Sequence, residues 1–198
     1  MEVKLLAYTS NPDILCADIA TICYKVSKET EEEKLTLLSN IIRKGHLSII
    51  EHANFTFLIE GISRVASHQL VRHRMASYTQ QSLRYTKAED FNLPKSLQDN
   101  FEVKFYMSSL YSLYNSLIEK GIKKEDARYI LPNAVTSDIV VTMNARELRH
   151  FFELRLDVAA QTEIRELAKQ MLTEVQKVTK VLFSDLYVNE KDMIDSNN

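Results

Sequence analysis

Asn54-Phe-Thr-Phe-Leu-Ile-Glu-Gly-Ile-Ser63 runs directly into Arg64-Val-Ala-Ser-His-Gln-Leu-Val71, and the change of pattern between them decides the fold class. The first run is rich in aromatic and β-branched side chains, which suit a pleated, half-buried surface, so it predicts a strand. Gly61 is read as the position of a bulge. In the second run Val65, Leu70 and Val71 return to a helical period, and Gln69 and Arg72, three apart, are placed on one helical face. Upstream, residues 3–9 read as a short strand. Asn11-Pro12 then opens a helix whose apolar positions are Leu15, Ile19, Ile22 and Val26. Residues 31–44 read as a second helix, acidic at its start and closed by Gly45. Downstream, a long helix is expected over 97–120, closed by Gly121, with a shorter one over 123–131 before Pro132. Residues 135–142 read as strand, Asn144 and Glu147 as a capping pair opening a helix through Leu156, and 159–182 as a last long helix. The sum is α+β: one helix-rich domain over 1–188 with a small sheet of three or four strands, followed by a polar tail over 189–198.

Composition narrows the function. The chain has 198 residues, 45% of them hydrophobic, with 25 basic against 27 acidic side chains and a net charge of −2. A core of useful size is available, and no bulk attraction to nucleic acid or to an anionic membrane is expected. Three glycines and three prolines leave no Gly-rich phosphate loop. The two cysteines, Cys16 and Cys23, stand seven apart with no Cys/His cluster, so neither a metal site nor a disulfide framework is expected. The N-terminal residues lack the basic and apolar regions of a signal peptide, and no stretch approaches a membrane span, so a cytoplasmic location is expected.

Chemistry concentrates in two blocks. Arg72-His-Arg-Met-Ala-Ser-Tyr-Thr-Gln-Gln-Ser-Leu-Arg84 holds three of the ten arginines and neither an acid nor a lysine. Guanidinium forks and hydroxyls bind phosphate oxygens directionally, and a cluster this short suits a small anion better than a polyanion. The other reading is of structural arginines paired with acids elsewhere in the chain. Asn144-Ala-Arg146-Glu-Leu-Arg149-His150-Phe-Phe-Glu-Leu-Arg155 sets Asn144 and Arg155 three helical turns apart on one side, and Arg146 and His150 on another. Here too Asn144 can serve as a cap alone, and Arg146 and Arg149 can pair with nearby acids. Tyr78 and Tyr85 beside the arginines keep an RNA-binding module open as a rival. A helical scaffold with incidental arginines leaves the acid-free window unexplained.

Arg72-His73-Arg74, seven residues, Ser82 and then Arg84-Tyr85 resembles the signature of the flavin-dependent thymidylate synthases. Gly45-His46, Glu51-His52 and Phe55-Thr-Phe57 are similar to the family's segment before it. Ala127-Arg128 with Leu131-Pro132, and Asn144-Ala-Arg146 through Arg155, are similar to its later blocks. The resemblance implies that family's fold and a homotetramer with active sites shared between subunits. It implies methylation of dUMP to dTMP, with 5,10-methylenetetrahydrofolate as carbon donor and NADPH or NADH as reductant through bound FAD. It also implies that Ser48, Arg72, His73, Arg74, Gln80, Asn144, Arg146 and His150 face FAD. Around dUMP it implies Gln69, Leu70, Val71, Arg72, Gln80, Gln81, Ser82, Leu83, Arg84, Arg128 and Arg155, with backbone amides contributing where the side chain is apolar. Gln80, Thr79, Ser48 and His150 stand where some members carry Glu, Asn, Thr and Asn, and each retains hydrogen-bonding capacity.

Methylating carbon 5 of uracil requires the ring to become nucleophilic, classically through a cysteine that adds to carbon 6. Cys16, Ala20 and Cys23 instead form a packing stripe at helical spacing. The resembled family uses no enzyme nucleophile, and the resemblance implies Arg155 beside the uracil as the candidate catalytic residue, because a guanidinium stays protonated and can stabilise negative charge developing on the ring.

Overall fold

The computed structural model describes residues 1–88 and 90–188, so the tail expected over 189–198 lies outside the described residues. In chain order the elements are β1 (Glu2–Tyr8), α1 (Pro12–Tyr24), α2 (Glu31–Arg43), a 3-10 helix (Leu47–His52), β2 (Asn54–Ser63), α3 (Arg64–Leu70) and β3 (Ala76–Gln80). There follow α4 (Lys95–Gln98), α5 (Phe101–Glu119), α6 (Lys124–Ala127), a second 3-10 helix (Arg128–Ile130), β4 (Thr136–Asn144), α7 (Ala145–Arg155) and α8 (Thr162–Gln176). The four strands make one sheet in the order β1-β2-β4-β3, which is the small sheet of the expected α+β class. Thr56 meets Thr142 while Gly61 meets Asp138, so β2 and β4 run antiparallel.

Strand β2 is built as its sequence implies. Phe55, Phe57 and Ile59 are buried at period two, the alternation that turns one face of a strand to a core. Past Gly61 the alternation slips to Ile62, the mark of one inserted residue. Gly61 holds a left-handed φ of 70°, and its N–H donates to Asp138 Oδ1 at 2.9 Å. A Cβ there would meet the Met1 backbone only at ordinary contact, 3.6–3.7 Å, so the backbone conformation alone selects glycine. Gly61→Ala is expected to cost about 1–2 kcal/mol, read as a lower urea midpoint at unchanged slope. An unchanged midpoint would show that the bulge relaxes without penalty.

Contacts cluster into two compact units. The α5 unit comprises Met1–Glu2, Ile59–Arg72 and Tyr78–Val140, and the α7 unit comprises Val3–Leu58, His73–Ser77 and Val141 onward. The α5 unit packs Tyr111, Leu117 and Ile118 around buried Leu83, Ala88, Tyr114, Ala127 and Val135. The α7 unit is centred on aromatics: Phe183 meets Phe55 and Phe152 edge-on at centroid distances of 5.6 and 5.7 Å. Each such ring contributes roughly 1.5–3 kcal/mol by leaving water.

Two polar devices fasten the C-terminal part of the α7 unit. The Asp13 carboxylate, in the first turn of α1, accepts from the backbone N–H groups of Lys180, Val181 and Leu182 at 2.7, 3.1 and 2.9 Å. Arg149, only 6% exposed, donates to both Asp185 oxygens and to the Leu182 carbonyl. Those bonds hold the Asp185 carboxyl below its usual pKa against the opposing effect of burial.

Several expectations need correction. The helix read over 97–120 is two, because the Asn100 side chain accepts from Val103 N–H at 3.0 Å and starts α5 afresh. The helix read over 159–182 is α8 alone, beginning at Thr162, where the Gln161 side chain accepts from Ile164 N–H, and ending at Gln176; beyond it Leu182 and Phe183 are still fully buried, outside any helix. Over 123–131 only α6 and a 3-10 turn form. Asn11 precedes α1 in a left-handed conformation and makes no side-chain cap. The buried face of α1 is Cys16, Ala17 and Ala20, small residues that let α1 lie close to α2, while Ile22, Cys23 and Val26 are exposed. Cys23 therefore leaves the proposed packing stripe. Helix α3 ends at Leu70, so Arg72 does not share its face with Gln69. Strand β3, read from sequence only as part of the arginine block, lies at an edge of the sheet. Among the described residues no helix is long and apolar enough to cross a membrane.

Candidate functional site

In the α5 unit, the arginine block ends in a tight turn. Tyr85 and Thr86 N–H both donate to the Ser82 carbonyl at 3.0 Å, and Arg84 N–H reaches Ser82 Oγ at 3.3 Å. Ser82 and Arg84 therefore share a turn and not a strand face. The Arg84 guanidinium donates to Glu125 Oε2 from Nε and Nη2 at 3.2 and 3.0 Å and lies 5.7 Å from the centre of the Tyr85 ring. Gln80 reaches the hydroxyls of Ser67 and Ser137 at 3.2 and 2.8 Å, and Gln81 exchanges two bonds with Asp138. Leu70 is fully buried, so toward a ligand it has only backbone to offer; Leu83 is nearly as buried. Arg72 is exposed beyond α3.

One arginine that sequence reasoning missed completes this region. Arg64, half-buried, and Arg128 line a cavity of about 350 Å³ with His68, Leu83, Tyr129, Leu131, Pro132, Asn133 and Val135, and no acid stands among them. Burial, and then the Arg128 charge, hold the Arg64 guanidinium below its ordinary pKa. Two cations facing a cavity without an acid make it receptive to an anion. The signal for Arg64 in the sequence was only its place at the first turn of α3, which carries no chemistry. Glu125, the partner of Arg84, was likewise not singled out.

In the α7 unit, Asn144 caps α7 by accepting from Glu147 N–H at 2.9 Å, as its spacing implied. Residues Asn144, Arg146, Glu147, Arg149 and His150 line a second cavity, of about 460 Å³, with Leu47, Glu51, Met75 and Glu153. Arg146 is ion-paired with Glu51 at 2.6 Å, both partners half-exposed. Such a pair is worth about 0–1 kcal/mol and yields readily to a better anion. Arg149 Nε is buried and has no hydrogen-bond partner among the described residues. With the Asn144 amide, Arg146 and the exposed His150, this donor set fits the diphosphate of a dinucleotide cofactor. Ser48 and Arg74 are exposed in the same unit.

Beside that cavity His73 is 4% exposed, with Nδ1 3.1 Å from Glu147 Oε1 and Nε2 accepting from Arg155 Nε at 3.2 Å. Burial is the largest influence on the imidazole and lowers its pKa; the Glu147 hydrogen bond opposes this, and the Arg155 and His150 charges add to it. Spacing along the chain carried no sign of this contact, which joins residues 74 apart. Of the flavin set, Ser48, His73, Arg74, Asn144, Arg146 and His150 belong to the α7 unit, and Arg72 and Gln80 to the α5 unit. Of the nucleotide set, Arg155 alone belongs to the α7 unit. Burial pushes the Cys16 thiol up to about 12, with the Asp13 charge as the next cause, so it stays protonated near neutrality.

The family model described as thymidylate synthase complementing protein matches residues 4–179. A flavin-dependent thymidylate synthase of Geobacter sulfurreducens is 44% identical over 200 residues, covering 93% of this chain and 86% of its own length. One of Pyrococcus abyssi is 46% identical over 194 residues, covering 89% and 80%. Among solved structures, ThyX of Helicobacter pylori complexed with FAD and dUMP superimposes with a TM-score of 0.79 at 27% identity, covering 93% of this chain and 99% of that one. The UMP/dUMP methylase PolB of Streptomyces cacaoi bound with 5-Br dUMP gives a TM-score of 0.77 at 26% identity, covering 91% of each.

Proposed function

The chain belongs to the flavin-dependent thymidylate synthase family, and from that premise we propose how its residues carry out the reductive methylation of dUMP to dTMP. The observation that carries the reading is the acid-free cavity flanked by Arg64 and Arg128. Arg128 and Arg84 hold the nucleotide phosphate, aided by the Ser82 hydroxyl and the N–H groups of the turn it opens. Gln69, Arg72, Gln80 and Gln81, with the backbone of Leu70, Val71 and Leu83, surround the rest of dUMP. Arg155 hydrogen-bonds the uracil ring and stabilises the negative charge that grows there as carbon 5 becomes nucleophilic.

Ser48, Arg72, His73, Arg74, Gln80, Asn144, Arg146 and His150 hold FAD, with Arg146 exchanging Glu51 for phosphate. When bound, FAD supplies the hydride that completes the methyl group, drawn from NADPH, while methylenetetrahydrofolate supplies the carbon. No cysteine is required: the Cys16 thiol is buried and protonated. The requirement for reduced pyridine nucleotide supports a cytoplasmic location, and residues 1–188 act as one functional domain.

The test is a flavin absorption spectrum after reconstitution with FAD, followed by dUMP-dependent NADPH oxidation with dTMP as product. Protein that binds FAD and dUMP yet forms no dTMP with folate and NADPH present would overturn the reading.

The reading extends to a homotetramer with active sites shared between subunits. Its support is α5, where Phe101, Phe105 and Leu113 recur at multiples of four and are exposed together with Tyr106. An apolar face of this kind calls for cover. Replacing Phe101 and Phe105 by Asp is expected to shift the native mass from four chains to fewer and to reduce turnover with it. A mass still equal to four chains removes this face from the interface.

A further inference from the structure

We propose that Glu147 is a positioning residue for the reaction: through the ring of His73 it fixes the side chain of Arg155. The inference rests on the assignment of Arg155 to the uracil ring and deepens it.

Glu147, Phe151 and Arg155 recur every four residues, so they lie along one face of α7. His73 lies across that face. Its ring meets Phe151 edge-on at a centroid distance of 5.0 Å, bonds Glu147 at one end through Nδ1, and bonds Arg155 at the other through Nε2. An arginine Nε carries a hydrogen and remains protonated, so it donates only. The bond at Nε2 therefore requires that nitrogen to be bare, which places the one proton of a neutral ring on Nδ1, where it points at the Glu147 carboxylate. A single tautomer satisfies both bonds. Among the described residues, Glu147, Arg155 and His150, all from α7, act on the ring by charge or hydrogen bond, and the net effect with burial favours the neutral form.

Without the carboxylate the proton is free to occupy Nε2, where it opposes the Arg155 N–H. Arg155 then loses its anchor. With the anchor in place, Nε is committed to His73 and the two terminal NH2 groups are aimed as a planar fork at the ligand. Small misplacements of such a group cost rate out of proportion to their size.

The experiment is single-turnover dTMP formation by enzyme whose FAD is already reduced, with dUMP affinity measured by calorimetry on the same preparations. Glu147→Ala is expected to slow the step roughly tenfold with dUMP affinity changed by less than about twofold, because the fault lies in aim and not in ground-state binding. The Asn144 cap uses the Glu147 backbone N–H, so the substitution spares it. Glu147→Gln keeps an acceptor oxygen at the same reach and is expected to recover most of the lost rate. If the alanine variant fails to hold FAD, Glu147→Asp, one methylene short, carries the same expectation with a smaller loss.

Combined with Arg155→Ala, Glu147→Ala is expected to cause no further loss, since it acts through the missing guanidinium. Additive losses, a Glu147→Ala rate equal to that of the parent, or failure of glutamine to recover the rate would each overturn the proposal. The assignment of Arg155 is judged separately, by Arg155→Ala alone: a normal rate there overturns that assignment, whereas a slow Arg155→Ala beside a normal Glu147→Ala overturns only the positioning role.

Discussion

Arg155→Ala lowers single-turnover dTMP formation by about two to three orders of magnitude, while FAD remains bound and reducible. The expectation follows from when the charge appears. Uracil is neutral when it binds, and negative charge grows on the ring only as carbon 5 attacks, so a guanidinium placed there contributes mainly to the transition state. Its removal should therefore depress rate far more than dUMP affinity. The structure adds that Arg155 is already held at Nε by a neutral, buried His73, so its cost of ordering is met before substrate arrives. Lysine keeps the charge but lacks both the Nε–H that meets His73 and the planar fork, and Arg155→Lys should recover little. Rapid quench from pre-reduced enzyme isolates the step from flavin reduction. A rate within a fewfold of the parent would make Arg155 a structural residue.

Arg84→Ala weakens dUMP by about ten- to a hundredfold and leaves FAD nearly unaffected, the loss of a charge-assisted contact worth about 1.5–3 kcal/mol. The guanidinium is not idle without ligand: it is paired with Glu125, a half-exposed bridge worth about 0–1 kcal/mol. A phosphate dianion offers more than that, so exchange favours the nucleotide. Meanwhile Glu125 and the Tyr85 ring keep the side chain from collapsing elsewhere. Calorimetry with dUMP and, separately, with FAD distinguishes a phosphate contact from general damage. Equal weakening of both ligands, or of neither, contradicts the assignment.

Features that depend on neighbours in sequence were legible before the structure. Asn54–Ser63 is a strand to the residue, Asn144 caps α7 toward Glu147, and Gly61 takes the left-handed conformation of a bulge. Each is a matter of local steric and hydrogen-bonding preference. The break at Asn100 was missed because one capping side chain overrides an otherwise continuous helical period. On α1 the large aliphatics misled, since close helix packing selects Ala17 and Ala20 over Ile22. Strand β3, Ala-Ser-Tyr-Thr-Gln, shows no apolar alternation and is ordered by its place in the sheet.

The arginine blocks were conspicuous in the sequence, but their partners were not. Glu125 lies 41 residues from Arg84, and Glu147 lies 74 from His73, so only the folded chain joins them. Arg64 carried no chemical signal until Arg128 stood beside it across a cavity.

The Asp13 carboxylate also bears on biosynthesis. Its three N–H partners lie at Lys180, Val181 and Leu182, 167 to 169 residues later. At translation rates of about 5–20 residues per second, roughly 10–30 s separate the appearance of the acceptor from that of its donors. Throughout that interval α1 carries a carboxylate whose native partners do not yet exist. The unit it belongs to is assembled from three separated stretches of chain, so it cannot form in the order in which it is made. The α5 unit, most of it continuous from Tyr78 to Val140, is under no such constraint. Released chains truncated before and after Leu182 should differ sharply in protease resistance around α1, making closure of this clasp a late event in the making of the chain.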